Sequence, residues 1–237
     1  DGDGWRINGT KTFITNGVYG DMTIVAARTD NDNKYGISMF LVPAGTEGFS
    51  VAKKLDKHGW LCSDTAELAL DNVFVPDEQL LGTPHRGFYA TMKNFQNERM
   101  VIVGMGVGAA QAAIDMTNEY CQNREAFGGH LYDLGAIRQR MAMNQAKIDA
   151  TRASMYHAAW LGDQGEDNVK AMSGAKAFGC EAINQVMYDC MQFHGGMGYM
   201  RESAIERMCR DARILPIGGG ATEVMLEEVA KRSYAAT

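Results

Sequence analysis

Proline is scarce in this chain and unevenly placed. Only four occur in 237 residues: Pro43, Pro76 and Pro84 lie early and Pro216 late, so residues 85–215 contain none. Proline removes a backbone donor and clashes with the preceding helical turn, so a long stretch without it suits helices. No apolar run reaches the ~18 residues that a membrane span needs, which predicts a soluble chain. No basic-then-apolar segment of the secretory kind opens the sequence. Long runs of Lys or Arg are also missing, and 23 basic against 29 acidic residues leave a net charge of −6, which excludes nucleic acid as a natural partner. The five cysteines are odd in number and none stands in C-x-x-C spacing. That excludes a zinc finger or a disulfide framework and predicts reduced core thiols. The histidines lack ligand spacing and read as structural. Hydrophobic residues at 46% and charged residues at 22% are globular values that exclude disorder.

What is present divides into two halves of different grammar. Of the 16 methionines only Met22 and Met39 precede residue 85, and flexible thioethers pack well between helices. The boundary predicted from proline and methionine falls near residues 82–87. Before it, short runs read as strands. Trp5–Ile7 and Thr10–Thr15 flank Asn8-Gly9, a strong hairpin-turn signal. Met22–Arg28, Ile37–Val42 and Ala66–Val75 follow the same β pattern. After the boundary, apolar residues recur at three- and four-residue spacing over Phe88 to about Gln122, Leu131 to about Leu161, and Asp167 to about Phe193, with Asp167 as N-cap. A last helix is expected from about Ala221 to Ser233. The expected class is α+β: an antiparallel β-barrel or sandwich module over residues 1–84, then an up-down four-helix bundle over residues 85–237.

One motif imitates a dinucleotide site. Val101-Ile102-Val103-Gly104-Met105-Gly106-Val107-Gly108-Ala109 has the glycine spacing of the Rossmann fingerprint. It lies inside the proline-free run, no βαβ alternation follows, and the residues about 20 further on are Asn123-Arg124-Glu125. Close helix packing is the preferred reading.

Four segments in order carry a specific resemblance. They are Asn8 to Gly17 (Asn-Gly-Thr-Lys-Thr-Phe-Ile-Thr-Asn-Gly), Val75-Pro76 through Leu80-Leu81-Gly82, Arg124-Glu125-Ala126-Phe127-Gly128, and Gln192-Phe193-His194-Gly195-Gly196-Met197-Gly198-Tyr199 followed by Arg210-Asp211-Ala212-Arg213. Together they resemble the acyl-CoA dehydrogenase family of flavoenzymes, with a pattern nearest its long-chain and isovaleryl-type members. The resemblance covers that family's middle β domain and C-terminal helical domain. It implies that the family's N-terminal helical domain and first flavin-binding segment are absent, so that the chain is a fragment of a larger enzyme.

The family chemistry implied is removal of an acyl-CoA α-proton with β-hydride transfer to flavin N5 of FAD. This needs a carboxylate with a raised pKa, because an ordinary Glu is too weak a base for a carbon acid. Most members carry it after the Arg-Asp-Ala motif, where this chain has Gly218-Gly219-Gly220-Ala221. A minority carry it earlier, on a helix, at the position matching Glu98 in Asn97-Glu98-Arg99-Met100. On a helix Phe95, Ile102 and Met105 would share its face, and an apolar face desolvates a carboxylate. The local pattern by itself equally suits a solvated Glu98 pairing with an arginine; the resemblance selects Glu98 as base. The backbone N–H of Gly219 is then expected to donate to the thioester carbonyl, with Gly220 clearing space beside the acyl chain.

The resemblance also implies flavin contacts from Phe13, Ile14 and Thr15, with Phe13 where Trp is more usual, and from Ala221, Thr222 and Glu223. Glu223 equally suits a first-turn macrodipole role. Arg124 and Gln192, Phe193, His194, Gly195 and Gly196 are implied at the adenine and pyrophosphate end of a neighbouring subunit's FAD. For Arg124 a solvated helix end, and for Gly195-Gly196 a simple helix stop, are the plain alternatives. Tyr89 and Arg99 stand at substrate-side positions, and Gly135 stands where the family usually has a Gln. A homotetramer, an electron-transferring flavoprotein as oxidant, and a role in fatty acid β-oxidation follow from the same resemblance. So does placement in the cytoplasm of a bacterium or the mitochondrial matrix of a eukaryote. A flavin oxidase or monooxygenase of the same fold, or a non-catalytic acyl-CoA-binding or assembly subunit, are the alternatives.

Overall fold

The computed structural model describes residues 2–234. The chain divides into two compact units, one up to Asn94 and one from Phe95 on.

The first unit is built from β1 (Gly4–Thr15), β2 (Met22–Arg28), β3 (Ile37–Pro43), β4 (Phe49–Lys54), β5 (Thr65–Pro76) and the short β6 (Leu80–Leu81). They form two three-stranded antiparallel sheets, ordered β1-β5-β4 and β2-β3-β6, and no closed barrel. The sandwich half of the sequence expectation therefore holds. Alternation explains the layering: Ser38, Phe40 and Val42 of β3 point inward while their neighbours are half-exposed. Ile7, Leu70, Val73 and Val75 from one sheet meet Val25, Phe40 and Val42 from the other, with Trp5, Ala27, Phe49 and Leu80 at the margin.

The Asn8-Gly9 hairpin does not form. Residues 4–15 are one strand, and both of its halves pair with β5. Asn8 lacks the positive φ that a type I′ turn demands. Its Oδ1 instead accepts from the backbone N–H of Asn72 at 2.7 Å. The register between Ile7 and Gly9 shifts there, with the extra residue on β5, and Asn72 has φ +55°. This bulge lets Ala66, Leu68 and Leu70 on one side and Val73 and Val75 on the other all face the core, which an unbroken period of two would forbid. Asn72→Val should therefore lower stability by roughly 1–2 kcal/mol from the left-handed backbone alone, whereas Asn72→Gly should cost far less; urea unfolding distinguishes them.

The helical elements are α1 (Gly87–Asn123), α2 (Gly135–Asp163), α3 (Val169–Phe193), the short α4 (Ala204–Ala212) and α5 (Thr222–Tyr234). In the second unit α3 is the central helix, packed on α2, α4 and α5. It buries Met172, Ala175, Cys180, Ile183, Val186, Met187 and Cys190. The dinucleotide look-alike lies in the interior of α1, not on a strand-to-helix turn. A Cβ at Gly106 would sit 2.6 Å from Ile183 Cδ1 and 2.9 Å from Leu215 Cδ1, so the small residue serves close packing. By length and composition alone α1 could cross a membrane, which the sequence reading did not anticipate. Its Val103, Val107, Ala110, Ala113 and Ile114 are buried as core residues. The N-cap of α3 is Asn168 rather than Asp167. Asp167 Oδ1 nevertheless accepts from Val169 N–H at 3.0 Å, so the acid turns the chain one residue earlier.

All five cysteines are free, and Cys121, Cys180 and Cys190 are buried. Cys62 is exposed, against the expectation of core thiols throughout. Burial pushes the Cys180 and Cys190 thiols up to about 11. An aromatic disulfide reagent at pH 8 should label Cys62 at once, and the buried thiols only after unfolding.

Candidate active site

In the second unit, α1 carries Glu98 and Arg99 and lies against the glycine-rich turn that leads into α5. Pro216 to Ala221 form this turn, with Thr222 N–H donating to Pro216 O at 3.0 Å. Gly219 and Gly220 have φ of +65° and +111°, conformations that side-chain-bearing residues rarely adopt. A Cβ at Gly219 would lie 2.5 Å from Ile102 Cδ1, one helical turn beyond Glu98. Arg99 Nε donates to Gly219 O at 3.2 Å. Burial lowers the Arg99 pKa, with Glu228 and Glu98 opposing and Arg232 adding to the effect. The Arg99 guanidinium also lies over the Phe95 ring, 5.9 Å from its centroid.

The expectation of a desolvated Glu98 is corrected here. Glu98 is exposed, Phe95 and Ile102 are half-buried, and Met105 is exposed. The core face of α1 runs instead through Val103, Val107 and Ala110, so the chain itself leaves water on the Glu98 face. That face is apolar around the carboxylate all the same, a surface on which an acyl chain could displace water.

Thr222 opens α5, and its Oγ1 donates to Glu181 Oε1 at 2.8 Å. Glu223 follows, exposed, in the first turn. Ala221 O accepts from Met225 N–H, which ties the turn to the helix. These three residues thus adjoin Gly219 and Gly220 at one helix start.

A second cluster forms where α1 and α3 end. The His194 ring stacks on Tyr120 with centroids 4.3 Å apart, and its Nε2 lies 3.2 Å from Thr117 Oγ1. Tyr120 OH donates to the His194 carbonyl at 3.4 Å. Burial lowers the His194 pKa below the ordinary imidazole value. Gln192, Gly195 and Gly196 are exposed beside it, and Phe193 is half-buried. Arg124, exposed, leads into the hairpin of β7 (Glu125–Ala126) and β8 (Gly129–His130). Its turn, Phe127-Gly128, has φ of +57° and +84°, and Phe127 is 87% exposed. The motif is thus a two-residue hairpin, for which the sequence offers only the paired glycines Gly128-Gly129 as a turn signal.

In the first unit, Phe13 occupies a second bulge, between Lys11 and Ile14, where β1 carries the extra residue. Phe13 has φ +61° and is 78% exposed, a costly combination for a bulky residue. Ile14 turns partly inward and Thr15 outward. An unshielded ring on a strained backbone, next to an exposed hydroxyl, fits the planar polar-edged ring of a flavin. Tyr89 belongs to the same unit, with its ring among Tyr35, Phe88 and the Arg86 guanidinium.

Comparison with known proteins finds one family along most of the chain. The model for the acyl-CoA dehydrogenase C-terminal domain matches residues 85–234, and that for the acyl-CoA dehydrogenase middle domain matches residues 1–73. The long-chain specific acyl-CoA dehydrogenase of pig mitochondria is 39% identical over 98% of this chain, which covers 54% of that protein. A probable acyl-CoA dehydrogenase of Mycobacterium abscessus superposes with a TM-score of 0.95 at 41% identity, over 98% of this chain and 62% of the other. A chain from the structure described as the electron transferring flavoprotein of Acidaminococcus fermentans superposes with a TM-score of 0.95 at 34% identity, over all of this chain and 62% of that one. The chain thus spans about half the length of the curated relative it matches.

Proposed function

Because the chain belongs to the acyl-CoA dehydrogenase family, we propose that the protein desaturates acyl-CoA thioesters between the α and β carbons, with Glu98 as the base. One observation carries the assignment of the base. The position where most members hold a Glu is here Gly219, whose φ of +65° strains any residue with a side chain, and a Cβ there would press on Ile102 Cδ1 at 2.5 Å. Of the carboxylates near this turn, Glu98 is the one on α1, one turn from Ile102, whereas Glu181 accepts from Thr222 and Glu223 opens α5.

Each residue then has a task. The Glu98 carboxylate takes the α-proton. The Gly219 N–H takes the thioester oxygen as negative charge gathers there, a main-chain donor that needs no side chain. Arg99 holds the Gly219 carbonyl at 3.2 Å and so fixes the plane of that turn. An acyl chain laid over Phe95, Ile102 and Met105 strips water from the Glu98 carboxylate just as the substrate arrives. FAD, when bound, supplies the acceptor for the β-hydride. By the family resemblance Phe13, Ile14 and Thr15 of the first unit are assigned to its ring, and Ala221, Thr222 and Glu223 of the second unit are assigned to the flavin separately. Arg124 and Gln192 to Gly196 would hold the adenine and pyrophosphate end of a neighbouring subunit's FAD, which makes a homotetramer part of the proposal. Tyr89 is assigned to the substrate side. An electron-transferring flavoprotein is the proposed oxidant, in keeping with the neighbour from Acidaminococcus fermentans.

The test is anaerobic mixing of the holoprotein with a panel of straight and branched acyl-CoAs. Flavin bleaching by at least one of them is the expected result. Bound FAD that none of the panel bleaches would favour an oxidase or monooxygenase. Failure to bind FAD would favour the assembly subunit.

A further inference from the structure

Lys176 on α3 is 1% exposed, among the most deeply buried side chains of the second unit. Lysine is almost never fully buried unless paired, yet among the described residues no carboxylate is its partner. Its Nζ donates instead to two main-chain carbonyls, Leu215 O at 3.2 Å and Gly220 O at 2.5 Å. These two acceptors bracket the glycine-rich turn. Of the carbonyls between them, Gly219 O is taken by Arg99 and Pro216 O by the Thr222 N–H. The Lys176 stem also reaches the turn, with Cε 3.7 Å from where a Gly219 Cβ would stand.

We propose that Lys176 is a positioning residue, whose buried ammonium clamps the turn from Leu215 to Gly220 and so sets the Gly219 N–H for the thioester oxygen. The proposal rests on the reading of function above. Three glycines in succession give this segment the greatest backbone freedom in the chain, and freedom is what an oxyanion donor cannot have. One side chain that grips both ends of the turn removes it. The left-handed backbone at Gly219 and Gly220 lets the two successive carbonyls reach different cations, Arg99 for one and Lys176 for the next. The same ammonium brings an unneutralised positive charge close to where the thioester oxygen gathers negative charge. Burial lowers the Lys176 pKa, with Cys180 opposing and Arg99 pressing the same way, so the two carbonyl acceptors are what hold the ammonium in place.

Hydrogen exchange on the holoprotein tests the clamp without reference to turnover. In the unaltered protein the amides of residues 217–221 should exchange at least about tenfold more slowly than in an unstructured peptide. Exchange at the unstructured rate overturns the proposal, and this reading needs no variant to fold. In Lys176→Met the same amides should speed up about tenfold or more while the rest of α3 stays protected. No change there also overturns it. Turnover adds the split that a merely structural role would not produce: kcat about 10- to 100-fold lower with KM within about threefold. A raised KM with kcat unchanged overturns the positioning role. Lys170→Met, an exposed lysine on the same helix, should leave every reading unaltered. If the unaltered protein bleaches with no acyl-CoA, the functional reading fails by itself, and the exchange result still decides whether Lys176 holds the turn.

Discussion

Glu98→Gln is expected to abolish bleaching of bound flavin by acyl-CoA, with kcat reduced about 100- to 10,000-fold, the range that a positioned general base contributes. Gln keeps the shape and removes the proton acceptor. FAD content should stay at the level of the unaltered protein, because Glu98 is assigned to the substrate and not to the cofactor. Full turnover in this variant would refute Glu98 as base. The structure sharpens a second consequence. Glu98 is exposed in the chain, so on this reading an apolar substrate is what removes its water. A truncated acyl group should then lose kcat as well as affinity, because less water is removed from the carboxylate. Rapid-mixing measurements across a series of acyl lengths read the two effects apart.

Gly219→Ala carries the second large effect. A residue with a Cβ held at φ +65° costs roughly 1–2 kcal/mol, and the added atom would lie 2.5 Å from Ile102 Cδ1. In a unit of this size the backbone term alone lowers Tm by about 2–8 °C. The larger change should be in kcat, about 10- to 100-fold down, because the turn must move and its N–H moves with it. Adding Ile102→Ala opens the space and should restore part of the stability but little of the rate, since the left-handed backbone remains. A double-mutant cycle on unfolding should therefore give a coupling of about 0.5–3 kcal/mol between positions 102 and 219. Independent, additive effects would mean that the two residues do not meet as described.

The long helices were legible because their signal is local and repeated. Three- and four-residue apolar spacing without proline placed α1, α2, α3 and α5 within a few residues of their ends. The elements that escaped are short or exposed. β4 is exposed nearly throughout, so no alternation marks it. β6 is two residues, and α4 is a nine-residue helix that buries only Ile205 and Ala212. Asn8-Gly9 misled because the dipeptide that makes a hairpin turn also suits a strand whose partner bulges. The choice fell to β5, some sixty residues away. The bulge at Phe13 was hidden for the same reason: strict alternation assumes that every residue has a partner.

Composition, periodicity and motif order by themselves determined the α+β class, the helices and the family. These depend on neighbours in sequence, so they survive without coordinates. Tertiary structure alone decided that Gly219 takes a left-handed backbone against Ile102, that Arg99 and Lys176 hold the turn's carbonyls, and that Glu98 lies open rather than buried. The Arg99 bond joins residues 120 apart and the Lys176 bond residues 44 apart. No local pattern encodes such approaches, because they arise only when separate helices pack and their side chains compete for the same acceptors.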